Sequence, residues 1–265
     1  MCRLLGVASA TPVTVVDAVG EAVLKDFVAL AKVHGDGWGL AHVDDPDGTP
    51  EVRVSATNAL DDPHFAAATS HIAGSGGITH LRWATEGLAV IPENCHPFLT
   101  DGIAMAHNGS IKPLEPLDEL LTPEARAGLR GTTDSERYFA LIRQHRARTP
   151  TLAEAVRRAV SQLRGIYPRA SLNALVLGEG HLIAVHAHAQ SRLPVDDIET
   201  LSALDLPAEH VEDYFALRIA RPDSDTVVIG STGFGDLDWQ ALAPETVTAV
   251  ALDDLTVTSA ALGSG

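Results

Sequence analysis

Two helical segments stand side by side between two blocks of short β-type runs, and that order constrains the fold more than any other feature. Each opens with a capping box: Thr133-Asp134-Ser135-Glu136 ahead of Tyr138 to Ile142, and Thr151-Leu152-Ala153-Glu154 ahead of Val156, Ala159, Val160 and Leu163. Before them, short apolar runs bounded by Gly, Pro and Asp predict strands at Arg3 to Ser9, Leu40 to Val43, Glu51 to Ala56, Gly77 to Ala84 and Gly102 to Ala106. After them, strands are expected at Asn173 to Leu177, His181 to His188, Tyr214 to Ile219, Thr226 to Ile229 and Val247 to Leu252. A third helical pattern, Val15 to Lys32, interrupts the first block, with Gly20 as its weak point. The stretch from Gln190 to His210 is acidic and irregular, and neither a Gly/Ser linker nor an internal repeat divides the chain, so residues 1–265 are expected to form a single domain.

Charge narrows the partners. The chain has 35 Asp+Glu against 19 Lys+Arg, a formal net charge of -16, while 45% of its residues are hydrophobic. Such a chain can bury a core, but its surface repels phosphate backbones and anionic lipid heads, so neither nucleic acid nor membrane is expected as a partner. No apolar run approaches the ~20 residues of a membrane-spanning helix, and Leu4 to Ala10 is too short for a secretory signal. With two cysteines, Cys2 and Cys95, there is no disulfide framework, and a cytoplasmic location is the expectation.

Cys2 carries the chemical argument. An initiator methionine followed by a small residue is normally removed, which leaves a thiol and a free α-amine on the same residue; such a pair is a nucleophile with its own base. On its own, Cys2 could equally be an incidental residue of a terminal strand. Further along, period 2 in the Gly77 to Ala84 run puts His80 and Arg82 on one face, with Leu81 and Trp83 on the other. His107-Asn108-Gly109 follows a strand, where Asn-Gly favours a turn of positive φ.

These residues occur within a series of ordered motifs: Cys2-Arg3-Leu4-Leu5-Gly6, Asp36-Gly37-Trp38-Gly39, Arg82-Trp83-Ala84-Thr85, Asn94-Cys95-His96-Pro97-Phe98, His107-Asn108-Gly109 and Thr133-Asp134-Ser135-Glu136. Together they resemble the class II glutamine amidotransferases, which are N-terminal-nucleophile hydrolases. The start and the Asp-Gly-Trp-Gly turn are most similar to the stand-alone branch that includes the γ-glutamyl hydrolase of ergothioneine biosynthesis. The resemblance implies an α+β fold, a four-layer αββα sandwich, and hydrolysis of a γ-glutamyl amide through a thioester on Cys2 without a cofactor or metal. It assigns oxyanion stabilisation to the Asn108 side chain and the Gly109 N–H, the α-carboxylate clamp to Arg82, the α-ammonium partner to Asp134, and pocket lining to Thr85 and Trp83.

Plainer roles compete for several of these residues. Asp134 can stabilise a helix dipole, Trp83 can be core, and Asn108-Gly109 can be an ordinary turn. Glu86 stands where the sugar-phosphate synthase branch tends to carry histidine, so that branch's acceptor logic need not apply. Cys95 reads as a small buried filler, and His186 with His188 as a structural pair that lacks a third metal ligand. His80, His96 and His107 are expected to orient the site by hydrogen bonds. Two other functions remain open: a glutaminase component that supplies ammonia to a separate partner synthase, and a non-catalytic γ-glutamyl-binding relative.

Overall fold

The structure, a computed structural model, describes residues 2–84, 89–188, 190–193, 197, 201, 210, 213–232 and 234–263. Chain order begins β1 (Arg3–Val13), α1 (Val15–Val19), α2 (Glu21–Ala29), β2 (Trp38–Val43), β3 (Glu51–Ser55), α3 (Pro63–His71), β4 (Gly74–Leu81), β5 (Phe98–Thr100) and β6 (Ile103–Asn108). Four helices follow, α4 (Glu115–Leu120), α5 (Pro123–Ala127), α6 (Asp134–Arg146) and α7 (Leu152–Ile166). The second block is β7 (Asn173–Gly178), β8 (His181–His186), β9 (Leu217–Asp223), β10 (Thr226–Ser231), β11 (Gln240–Ala241), β12 (Thr246–Ala251) and β13 (Val257–Ala261).

These strands form two antiparallel sheets. One has the order β11-β9-β10-β1-β4-β2-β3 and the other β13-β12-β8-β7-β6-β5. Alternation along each strand fills three apolar layers. Leu5, Val7, Leu40 and Leu81 face α1, α2 and α3 on one outside, together with Phe27 and Phe65. Leu4, Ala8, Ala41 and Ile78 meet Ala104, Ala106, Leu175 and Leu182 between the sheets. Ile103, Met105, Val176 and Val185 pack under α6 and α7 on the other outside. The result is the αββα sandwich, with the helix pair laid on the second sheet.

Local differences from the sequence reading have physical causes. The helix from Val15 to Lys32 breaks at Gly20, whose φ of 83° belongs to no helix, and a 3-10 turn at Leu30–Lys32 ends it. The two capping boxes are half-formed. Thr133 Oγ1 accepts from Glu136 N at 3.1 Å and Thr151 Oγ1 from Glu154 N at 3.3 Å, but neither glutamate reaches back. Glu136 instead accepts from the Arg130 and Gly131 amides, and Glu154 pairs with Arg157 and Arg158, which hold its carboxyl at about 2. Strand β4 ends at Leu81 rather than Ala84, so Arg82 and Trp83 stand beyond the sheet.

Candidate active site

Both sheets end at one cleft, and the residue period decides what meets there. Cys2 shares the inward row of Leu4 and Ala8 at the start of β1, which is flanked on both sides by β4 and β10. Asn108 shares the inward row of Ala104 and Ala106 at the end of β6. The two strand ends therefore touch across the sheet interface: the Cys2 nitrogen donates to Asn108 Oδ1 at 2.8 Å. The Asn108 side chain is fully buried, and its Nδ2 has no hydrogen-bond partner. A buried amide donor left unpaired costs about 1–3 kcal/mol, which an incoming oxygen would recover.

Gly109 is required by contact. A Cβ placed there would lie 1.9 Å from the Ser171 carbonyl oxygen and 2.7 Å from His107 Nε2. Neither Asn108 nor Gly109 has positive φ, and β6 pairs with β5 and β7, so the expected left-handed hairpin turn is absent at this position. Ser171 closes the junction by donating from Oγ to the Asn108 carbonyl at 2.8 Å.

The Asp36-Gly37-Trp38-Gly39 turn holds Arg82. The Asp36 amide donates to the Arg82 carbonyl at 3.0 Å, and the Arg82 amide to the Gly37 carbonyl at 2.9 Å. Arg82 Nη1 reaches the Asp36 carbonyl at 3.4 Å, while Nη2 reaches that of Ala89 at 3.1 Å. Asp36 Oδ2 accepts from the Ala84 amide at 2.8 Å, and Asn94 Nδ2 shares the Ala89 carbonyl. Asp36 and Asn94 were not among the expected site residues, yet their own motifs were visible; what could not be read was that both motifs fold onto Arg82. Across the cleft, Asp134 opens α6 with its Oδ2 accepting from the Ile111 amide at 2.5 Å.

Cys2, Arg82, Trp83, Gly109 and Asp134 line one cleft. Trp83 is half-buried and packs against Tyr214, Phe215 and Leu201 rather than on the apolar face of a strand, because the strand has already ended. Thr85 lies outside the described residues. Cys95 is buried, with Sγ at 3.4 Å from the Ile91 carbonyl, and burial pushes its thiol up; it is a poor second nucleophile.

Three histidines back the cleft. His107 Nε2 lies 3.0 Å from the Ser171 carbonyl and must donate to it, so its Nδ1 accepts from Ser135 Oγ at 2.8 Å. The His107 amide donates to His96 Nδ1 at 3.3 Å, which makes His80 Nε2 the donor in the 3.1 Å contact with that same nitrogen. His80 Nδ1 is then a buried acceptor with no partner. Burial, together with the charge of Arg82, holds His80 and His96 well below the usual imidazole range, and burial also lowers His107 against the pull of Asp134. Among the described residues, Cys2, His80 and His96 are the one trio of side chains whose ligand atoms lie within 4.8 Å of one another.

The His186 and His188 pair is elsewhere. His188 stands past the end of β8, and its Nε2 meets His186 Nε2 at 2.8 Å. His186 Nδ1 donates to the Leu242 carbonyl at 3.0 Å, so Nε2 accepts from His188 and from the Leu217 amide at 3.2 Å. No lone pair remains on His186 for a metal.

The family model for class II glutamine amidotransferases matches residues 1–260. The chain belongs to that family. Among curated relatives, this class II amidotransferase is 33% identical over 168 residues to a glutamine–fructose-6-phosphate aminotransferase (isomerizing) of Yersinia pseudotuberculosis, covering 63% of this chain and 26% of the relative. It is 35% identical over 151 residues to that of an Escherichia coli strain, covering 56% and 24%. The chain thus spans about a quarter of the length of these relatives. Of solved structures, a glutamine aminotransferase class-II domain protein from Silicibacter pomeroyi aligns with a TM-score of 0.66 at 18% identity, over 99% of this chain and 100% of that one. The glutamine phosphoribosylpyrophosphate amidotransferase of Bacillus subtilis aligns with a TM-score of 0.62 at 16% identity, over 100% of this chain and 50% of that one. At these identities the structures establish the shared fold. No helix of the described residues is long and apolar enough to cross a membrane.

Proposed function

We propose that the mature chain, with Met1 removed, hydrolyses a γ-glutamyl amide through a thioester on Cys2. The Cys2 thiol gives its proton, directly or through water, to the α-amine beside it, and the sulfur attacks the γ-carbonyl carbon. Negative charge builds on the carbonyl oxygen, where Asn108 Nδ2 and the Gly109 N–H donate. The C–N bond then breaks, the amine departs with the proton, and water cleaves the thioester to glutamate and free thiol. Arg82 takes the α-carboxylate, Asp134 the α-ammonium, and Trp83 and Thr85 line the glutamyl pocket.

One observation carries this reading: a single buried amide holds the Cys2 nitrogen with its oxygen and leaves its NH2 unpaired. That is the arrangement an oxyanion donor needs before substrate arrives. Intact mass spectrometry before and after a glutamine-mimicking diazoketone tests it, alongside glutamate release from glutamine and from γ-glutamyl conjugates. The expected result is a chain lacking Met1, one label on Cys2, and release that falls at least ~10³-fold in Cys2→Ala. Normal turnover by a chain that retains Met1 would overturn the mechanism.

The names of the curated relatives favour a second reading, in which glutamine is the substrate and its ammonia passes to a separate synthase. Hydrolysis of glutamine that rises on adding such a partner, with conjugates left intact, selects it. A non-catalytic γ-glutamyl-binding relative would bind the conjugates and release no glutamate.

A further inference from the structure

Arg82 and Asp134 reach the cleft from different layers of the sandwich. Arg82 stands just past the end of β4 in the first sheet, and Asp134 opens α6, which lies on the second. The carboxylate and ammonium of an α-amino acid share one carbon, so the groups that read them need a fixed spacing; a misplacement of about 1 Å can cost ~10²-fold. Neither β4 nor α6 sets that spacing alone.

One side chain touches both arms. Asn94 ends the 3-10 turn Pro92–Asn94 on the connection from β4 to β5, is 1% exposed, and lines the cleft. Towards Arg82, its Nδ2 donates to the Ala89 carbonyl at 3.1 Å, the same oxygen that takes Arg82 Nη2 at 3.1 Å. Towards Asp134, its Oδ1 accepts from the Thr132 amide at 3.1 Å, and Nδ2 also reaches Thr132 Oγ1 at 3.5 Å. The run from Thr132 into α6 is itself pinned: Glu136 takes the Arg130 and Gly131 amides at 2.7 and 2.8 Å, and Thr133 caps the helix. A Cβ on Gly131 would lie 2.5 Å from Asn94 Oδ1, so the two segments meet with no room for a side chain. A primary amide presents acceptor and donors on one rigid plane, and Asn94 spends the acceptor on the helix arm and a donor on the arginine arm.

We propose that Asn94 is the positioning residue that sets the spacing between Arg82 and Asp134, so that the cleft selects an acyl group with both charges on one carbon over one with either charge alone. The proposal rests on the assignment of Arg82 and Asp134 to the glutamyl head and names what holds them in register. A ligand with one charge can follow whichever arm it binds; a ligand with two cannot.

The test compares three p-nitroanilides: γ-glutamyl, glutaryl, which lacks the α-ammonium, and 4-aminobutyryl, which lacks the α-carboxylate. Wild type is expected to favour the γ-glutamyl compound in kcat/KM by at least ~10² over each, because paired groups are left empty by the others. A wild-type preference near one overturns the proposal whether or not any variant folds. Asn94→Leu, which keeps the volume and removes both hydrogen-bonding arms, and Asn94→Ala should each lower that preference at least ~10-fold, with the γ-glutamyl loss appearing in KM. A purely structural role lowers all three substrates together; that result, or an unchanged preference, overturns the proposal and leaves the hydrolase reading intact. If no anilide is cleaved, calorimetry on Cys2→Ala with and without Asn94→Leu decides. Glutamate binding that weakens more than glutarate and 4-aminobutyrate binding supports the spacing role, while equal weakening or no binding ends it.

Discussion

Two of the buried histidine clusters in this sandwich, one at β8 and one at the cleft, make hydrogen bonds that differ in kind. At β8, His186 spends both ring nitrogens: Nδ1 on the Leu242 carbonyl, Nε2 on His188 and the Leu217 amide. At the cleft, His80, His96 and His107 form an equally close network, yet His80 Nδ1 and the neighbouring Asn108 Nδ2 end without partners. Fully satisfied polar groups fix a fold; unpaired ones beside a nucleophile are groups held ready for something that arrives. The contrast separates structural from chemical histidines where residue type and burial do not.

Kinetics should break the two clusters apart most strongly. Asn108→Ala is expected to lower kcat by ~10²–10³-fold, the usual effect of deleting one oxyanion donor. His186→Phe should leave kcat of the folded protein unchanged while lowering stability by about 1–3 kcal/mol, since the Leu217 amide and Leu242 carbonyl lose their partner. Both are read from steady-state rates together with denaturant melts. A loss of kcat in His186→Phe matching that in Asn108→Ala would erase the distinction.

Metal binding should sharpen the contrast. Zinc is expected to inhibit by engaging Cys2 Sγ and the unpartnered His80 Nδ1, with a chelator restoring the full rate and chelator alone changing nothing. Cys2→Ala should lose a thiolate-to-cobalt absorption band that His188→Gln retains. An unchanged band in Cys2→Ala would place the ion elsewhere.

Acid sensitivity is the smallest expected effect, and it belongs to both clusters. Burial lowers His80, His96, His107 and His186, and brings His188 to about 4. Unfolded imidazoles titrate near ~6.5, so below that pH the unfolded chain holds more protons than the native one. Stability is therefore flat above ~6.5 and falls as pH drops towards the folded values. His188→Gln should flatten the slope between about 4 and ~6.5 in melts across pH; an unaltered slope assigns the titration to the other buried imidazoles, those of the cleft together with His186 and His210.

Much of this was legible in the chain. The helix pair between strand blocks follows from residue periods and capping chemistry, while the motifs at Arg82 and Asn108 were legible through the family resemblance. Three things were not. Short edge elements such as β5 and β13 carry weak patterns, and α3 has an apolar stripe of only Phe65 and Ala68 among its buried hydrophobics. The role of Gly109 comes from Ser171, a residue distant in sequence, so no local rule reveals it. Arg3 was visible only as a motif letter; its full burial, with Nε donating to the Cys2 carbonyl, is evident only in the fold.

The tight seat of Gly109 also divides the molecule for anyone wishing to redesign it. With the Ser171 oxygen 1.9 Å from any added Cβ, the acid half of the cleft is a fixed jig that tolerates no randomisation at that position. Diversity belongs instead where side chains rather than backbone set the walls of the cleft, as at Trp83.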